Sequence, residues 1–224
     1  MRDVKSLAAE IEADTTALRL AVHAWIREDA PLSVKMMLLP KHVDALMARL
    51  AAEIAANQSR AFEDGARSAE IFARRVHAGQ TDKGGAPYSG HLGRVAARAR
   101  GHAEAMGLPR QHVEWCLQVG WLHDTIEDTS VEADDLLDAG FDPAVVQAVQ
   151  LLTRPPGKPY LECVAGIIAS GDRVAMIVKL SDNEDNLDPA RALPNAPPAL
   201  AARYQRSAEM LRAALQPEGE RSDA

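Results

Sequence analysis

An all-α fold is predicted for this chain by three observations: alanine is abundant, β-branched runs are short, and no stretch alternates apolar and polar residues as a half-buried strand would. Apolar residues recur instead at spacings of three and four, which lines them up on one face of successive helices. With 224 residues, 47% of them hydrophobic, the chain can bury one real core and still carry an extension. The architecture expected is a helical bundle.

Residues 4 to 28 carry Leu7, Ile11, Leu18, Val22 and Ile26 near helical spacing, and Pro31 ends that segment. A second helix, from about 41 to 57, puts Val43, Leu46, Met47, Leu50 and Ile54 on one stripe. These two additional helices make residues 1–60 an N-terminal extension, and its lone His23 and His42 read as surface or packing residues. Whether the extension is a dimerisation element or extra core is open, and a homo-oligomer is compatible with either.

A third helix from 63 to 78 presents Ala66, Ala69, Phe72, Ala73 and Val76, then runs into Gly79-Gln80-Thr81-Asp82-Lys83-Gly84-Gly85-Ala86-Pro87-Tyr88. Three glycines and a proline make this a shaped loop. Its lysine lacks the P-loop spacing and no strand precedes it, yet backbone N–H groups and Lys83 can meet an anion there. A fourth helix is expected from near His91 to Gly107. Pro109 opens the next, from about 110 to 128, within which Gly120 predicts a close approach by another group.

Thr129 with Glu132 predicts a capping box for a short helix through Asp138, stopped at Gly140. Asp142 and Pro143 open a helix carrying Val145, Val146, Val149 and Leu152. A loop of Pro155, Pro156, Gly157 and Pro159 leads to a helix over 160–169 that Gly171 ends. Asp172 caps a further helix, which leads into Lys179-Leu180-Ser181-Asp182-Asn183-Glu184-Asp185-Asn186. After the proline-rich stretch from Pro189 to Pro198, a last amphipathic helix ends near Leu215, and residues 216–224 are polar enough to be disordered. No internal repeat divides residues 61–215, which read as one domain.

Composition excludes several classes. A net charge of -7 argues against a nucleic-acid polymer as partner, which would need a basic face. No apolar run is long enough to span a bilayer, so no membrane partner is expected. The N-terminus lacks a signal-peptide pattern, and the two cysteines, Cys116 and Cys163, sit in apolar helical patterns and read as reduced core residues; a cytoplasmic protein is expected. His102 and His112 read as surface residues.

Leu122-His123-Asp124-Thr125-Ile126-Glu127-Asp128-Thr129 holds an imidazole and three carboxylates within one short run. On a continuous helix, His123 lies over Glu127 and Asp124 over Asp128. Carboxylates so crowded repel unless a metal or a proton offsets them, and Trp121, Leu122 and Ile126 argue that the run is partly buried. Two neighbouring ligands do not fill a coordination sphere. His91, at a helix start after a glycine-containing turn, is the best upstream candidate; downstream, Asp182 opens a second carboxylate-rich turn and shares a face with Asn186. Two nitrogens and two oxygens from separate helices would hold a transition metal and leave positions open for water and substrate.

His77-Ala78-Gly79-Gln80, Lys83-x-Gly85-x-Pro87-Tyr88-x-x-His91, His123-Asp124-x-x-Glu127-Asp128-Thr129 and Lys179-Leu180-x-Asp182-x-x-x-Asn186 occur in this order. Together they resemble the hydrolase domain of the RelA/SpoT homologues, in particular the small alarmone hydrolases of the HD phosphohydrolase superfamily. The resemblance covers about residues 63–215 and implies an HD-domain helical bundle without a synthetase domain. It implies metal ligation by His91, His123, Asp124 and Asp182, with one Mn2+ ion the usual occupant. It assigns Glu127 and Asp128 to activating or orienting the attacking water, and Lys83 and Asn186 to the nucleotide; Tyr88 is a candidate to stack on its base. The activity implied is release of pyrophosphate from the 3'-diphosphate of (p)ppGpp, the alarmone of the stringent response, so the expected partner is a small anionic purine nucleotide.

Three positions depart from the family pattern. Asp82 stands where an arginine precedes the loop lysine, Leu92 replaces a proline after the first ligand histidine, and Asn183 replaces a basic residue after the last aspartate. Asp cannot stack on a purine as Arg does, so the base-binding wall differs. An adenine alarmone, a dinucleotide phosphate or a nucleoside phosphate remains an alternative substrate. A non-catalytic nucleotide-sensing module is a third reading, which the presence of both Glu127 and Asp128 disfavours.

Overall fold

The computed structural model describes residues 63–82, 84–191 and 198–216, together with Ala48, Ala52 and Ala56, which are helical. The N-terminal helix over 4–28, most of the second, Lys83 and the C-terminal tail lie outside the described residues. The chain divides into two units, Met1–Ser59 and Arg60–Ala224, and the candidate site lies in the second. Among the described residues every regular element is a helix, and an isolated bridge between Thr81 and Pro87 is the single piece of sheet-type pairing. None of those helices is long and apolar enough to cross a membrane.

Helix α1 covers 63–76 and presents the buried Ala69, Phe72 and Ala73. The loop after it is closed by its own backbone. Asp82 N–H donates to Ala86 O at 2.8 Å, and Tyr88 N–H to Gln80 O at 3.0 Å. Helix α2, Tyr88–Ala105, therefore starts three residues before the expected position, directly after Pro87. Its inner face is His91, Leu92, Val95, Ala96, Ala99 and Ala103, a three-and-four spacing.

Helix α3, Arg110–Leu122, crosses α2 at Gly120, as the glycine suggested. A Cβ there would lie 2.5 Å from the Ala96 Cα, so a hydrogen is all the crossing admits. The continuous helix expected over 110–128 is not formed: α3 stops at Leu122 and a separate turn, α4, covers Thr125–Asp128.

The capping box of α5, Ala133–Asp138, is formed by Glu132 and Asp135, not by Thr129 and Glu132. Thr129 is spent on the preceding turn, its hydroxyl donating to Thr125 O at 2.6 Å and accepting from Val131 N–H at 3.1 Å. Asp142 caps α6, Pro143–Leu152, through Ala144 N–H. Helix α7, Tyr160–Ser170, ends at Gly171 with φ 71°, a left-handed conformation that glycine adopts without a Cβ clash. Asp172 caps α8, Arg173–Leu187, by accepting from Ala175 N–H.

Helix α8 is the axis of the bundle. It touches α2, α3, α6, α7 and the last helix α9, Pro198–Leu215. Ten of its residues from Val174 to Asp185 are buried, on all sides of the helix. Two histidines expected at the surface are corrected by these contacts: His102 and His112 are both half-buried. His102 Nε2 lies 2.7 Å from Glu184 Oε2 on α8, and His112 packs its ring against Trp115.

Candidate metal centre

The interruption between α3 and α4 shapes the site. His123 Nδ1–H donates to Gly120 O at 2.9 Å, the carbonyl that a continuing helix would offer to Asp124 N–H. Asp124 then takes φ -99° and ψ 1°, and the chain turns. Because a carbonyl only accepts, Nδ1 must carry the proton, and the neutral ring presents its Nε2 lone pair inward. That Nε2 is buried and makes no hydrogen bond.

His91 is held in the same manner from another helix. Its Nδ1 lies 2.7 Å from Asp185 Oδ2 on α8, a carboxylate with no exposed surface, so its Nε2 also turns inward. The two imidazoles are 5.3 Å apart, centroid to centroid. Asp182 Oδ1 lies 3.5 Å from His91 Nε2 and 3.9 Å from His123 Nε2. One ligand atom from each of His91, His123 and Asp182 falls within 4.8 Å of the others, and this buried group could hold a divalent cation. Asp124 Oδ2 joins them, 3.0 Å from His123 Nε2 and 3.7 Å from His91 Nε2.

The electrostatics fit a missing positive charge. Burial opposes protonation of either imidazole, but hydrogen bonds to the Asp124, Asp182 and Asp185 carboxylates outweigh it and push His91 up to about 11. His123 is raised too, burial being overcome by Asp124. Asp124 and Asp182 stay ionised against the cost of burial, Asp124 through His123 and His91, Asp182 through Lys179 first and then the histidines. These carboxylates favour positive charge at the two Nε2 positions, which a bound cation would supply.

Around this group the expected site residues other than Lys83, which lies outside the described residues, have definite places. Asn186 Nδ2 donates to Asp182 Oδ1 at 2.6 Å, and Lys179 Nζ to Asp182 Oδ2 at 3.0 Å, so both fix that carboxylate. The Tyr88 hydroxyl lies 2.5 Å from Asp124 Oδ2 and 3.1 Å from Asp128 Oδ2, and its ring lies against His77 and His91. Burial and these carboxylates keep it a neutral phenol. Glu127 does not stack under His123: Arg154 N–H donates to its Oε2 at 2.9 Å. His77 Nδ1 meets Gln80 Oε1 at 2.8 Å, and Gln80 Nε2–H donates to Asp128 O at 3.1 Å, which ties the loop to the HD turn. Asp82 spends its side chain on the loop itself, accepting from Gly84 N–H at 2.9 Å and Ala86 N–H at 3.0 Å. Asn183 is fully buried and bonds Tyr160 and Ser207.

All of this opens on a cavity of about 400 Å3, within the range of small-ligand sites, with Glu127, Asp128, Asp182 and Asn186 in its wall. Arg154, Tyr160 and Arg203 also line it, and sequence reasoning did not single them out. Nothing local marks them: Arg154 lies between α6 and α7, Tyr160 opens α7, and Arg203 comes from α9. Asp185 was missed for a different reason. It lies in the same acidic run as Asp182, three residues on and hence on a neighbouring face.

Asp185→Asn is expected to weaken any divalent-metal binding at this group ten- to a hundredfold, read by titration calorimetry, because His91 loses the anion that orients it. The same variant tests acid stability. Asp185 is costly to bury, but hydrogen bonds from His91 and Arg94 hold its pKa at about 2, below the ordinary 3.8. Its contribution is therefore complete above about pH 4 and is lost as the pH falls toward 2. Metal-free wild-type protein should lose stability across that window, and the variant should show a shallower loss. Equal slopes would reject this role.

No protein-family model matches the sequence, and no curated protein does. Among solved structures, a metazoan ortholog of SpoT that hydrolyzes ppGpp and plays a role in starvation responses is similar over 68% of this chain and 85% of its own, with 22% identity and a TM-score of 0.53. The fold is the HD-type helical bundle. The HD-type bundle here thus carries its buried His/His/Asp group where α2, α3 and α8 meet.

Proposed function

We propose that this protein is a metal-dependent nucleotide phosphohydrolase, with the 3'-diphosphate of a (p)ppGpp-like alarmone as its first candidate substrate and pyrophosphate as the product. The observation that carries the reading is the pair of inward-facing imidazole nitrogens, His91 Nε2 and His123 Nε2, set against the Asp124 and Asp182 carboxylates at the wall of the cavity. Those four residues would hold the ion, and manganese is the one to try first. When bound, such an ion lowers the pKa of a coordinated water and polarises a phosphoryl oxygen. The SpoT ortholog of similar fold supports the substrate class, since it hydrolyzes ppGpp.

The chain's own residues supply the rest. Glu127 and Asp128 line the cavity as carboxylates, and one of them takes the proton that water loses as its oxygen bonds to phosphorus. Tyr88 stays protonated and holds Asp124 and Asp128 in register. Lys179 remains a cation, because Asp182 more than offsets the cost of burying it, and it can meet the charge that develops on the phosphoryl group. The phosphorus–oxygen bond to the ribose 3'-oxygen breaks, that oxygen takes up a proton to become a hydroxyl, and pyrophosphate leaves carrying the oxygen that came from water.

The test is incubation of the purified protein with manganese and ppGpp. Pyrophosphate and GDP should appear together, and absence of both would reject the alarmone substrate. A second substrate reading is favoured by Asp82, whose carboxylate closes its own loop in place of an arginine that could stack on a purine. On that reading another nucleotide turns over under the same conditions. A panel of adenine and guanine nucleotides, with phosphate and pyrophosphate detected separately, decides.

A further inference from the structure

Among the described residues three basic side chains line the cavity, and two are neutralised where they stand. Lys179 Nζ lies 3.0 Å from Asp182 Oδ2, and Arg154 Nε lies 3.6 Å from Glu127 Oε1. Arg203, on α9, pairs with no carboxylate among the described residues, and its buried Nε makes no hydrogen bond. Aromatic rings support it instead: its guanidinium carbon lies 4.6 Å from the Tyr160 centroid and 5.4 Å from that of Tyr204. The two rings meet edge to face at 5.9 Å.

This support is anchored. The Tyr160 hydroxyl donates to Asn183 Oδ1 at 2.5 Å, and Asn183 Nδ2–H donates to Ser207 Oγ at 2.7 Å, a buried chain that joins α7, α8 and α9. The position where the family pattern has a basic residue thus carries the amide that holds the ring under Arg203. A guanidinium held against two rings, with no anion of its own among the described residues, has little conformational freedom left to lose on binding one. Its planar fork matches the paired oxygens of a phosphate. It also stands out in a protein of net charge -7, whose cavity wall is otherwise dominated by carboxylates and neutralised cations.

We propose that Arg203, supported by Tyr160 and Tyr204, is a specificity-determining residue that grips a second phosphate of the substrate, separate from the one cleaved beside His91 and His123. The proposal rests on the nucleotide-hydrolase reading and narrows its substrate to nucleotides carrying phosphate at two separated positions. A singly phosphorylated nucleotide leaves Arg203 without its partner. Charge-assisted hydrogen bonds of this kind are each worth about a tenfold change in affinity or more.

Titration calorimetry of the manganese-loaded protein with guanosine 3',5'-bisphosphate and guanosine 3'-phosphate tests this without counting turnover, so it can succeed or fail whatever the pyrophosphate assay shows. Wild-type protein should bind the bisphosphate at least tenfold more tightly. Arg203→Met should remove that preference while leaving the affinity for the monophosphate within about twofold, which also shows that the variant is folded. Arg203→Lys should keep part of the preference. The proposal is overturned if wild-type protein does not distinguish the two ligands, if the preference survives Arg203→Met, or if both affinities fall together in Arg203→Met and Arg203→Lys alike.

Discussion

His123→Ala is expected to lower nucleotide hydrolysis by on the order of a thousandfold or more, and to reduce bound manganese from one ion per chain to none that dialysis retains. The expectation follows from how the ring is placed. Its Nδ1–H is fixed by Gly120 O, and its Nε2 is buried with no hydrogen bond, 3.0 Å from Asp124 Oδ2 and 3.9 Å from Asp182 Oδ1. A polar atom left this way costs stability unless something fills the position, and a cation is what the surrounding carboxylates favour. Metal content by atomic absorption and thermal stability with and without manganese give readouts independent of turnover. Wild-type protein should gain stability with manganese and the variant should not. Retention of a full ion by the variant would reject His123 as a ligand.

The second large effect concerns stability. Gly120→Ala should destabilise the protein by about 2–3 kcal/mol, lowering the midpoint of thermal unfolding by roughly 5–10 °C for a chain of this size. The added methyl would lie 2.5 Å from the Ala96 Cα and 2.9 Å from the Ala96 N. Both are backbone atoms, so no side-chain rotation relieves the clash and α2 must move away from α3. In an open helix the same change would be favourable, since alanine is the better helix former by up to about 1 kcal/mol. The sign of the result therefore reports the crossing. The movement would also part His91 on α2 from His123 just beyond α3, so manganese affinity should fall with stability. A variant as stable as the wild type would mean that the helices do not approach this closely.

Helix identity was legible wherever the cause is local. Asp142, Asp172 and Gly171 mark helix boundaries because a side-chain acceptor or a left-handed residue is needed at the terminus itself. The break at His123 was not legible by the same rules. Periodicity continues through 110–128, but a side-chain hydrogen bond to Gly120 O and the turn at Asp124 interrupt the helix. The start of α2 was misplaced toward His91 because the loop's own hydrogen bonds, and no residue preference, deliver the chain at Pro87.

His91, His123, Asp124 and Asp182 could be named from the order of their residue types, since few arrangements of imidazole and carboxylate at those spacings serve anything but a cation or a proton. Which acid of the run from Asp182 to Asp185 joins His91 and His123 in the candidate metal group and which braces His91 depends on the rotation of α8 about its axis, and the neighbours packed on all its sides set that. The orientation of Glu127 toward Arg154, the use of Asp82 within its own loop, and the meeting of Arg203 with Tyr160 and Tyr204 likewise arise only when distant helices pack. Residue type and local spacing specify which groups are available for chemistry. The partners those groups acquire are long-range contacts, and these exist only once the core has formed.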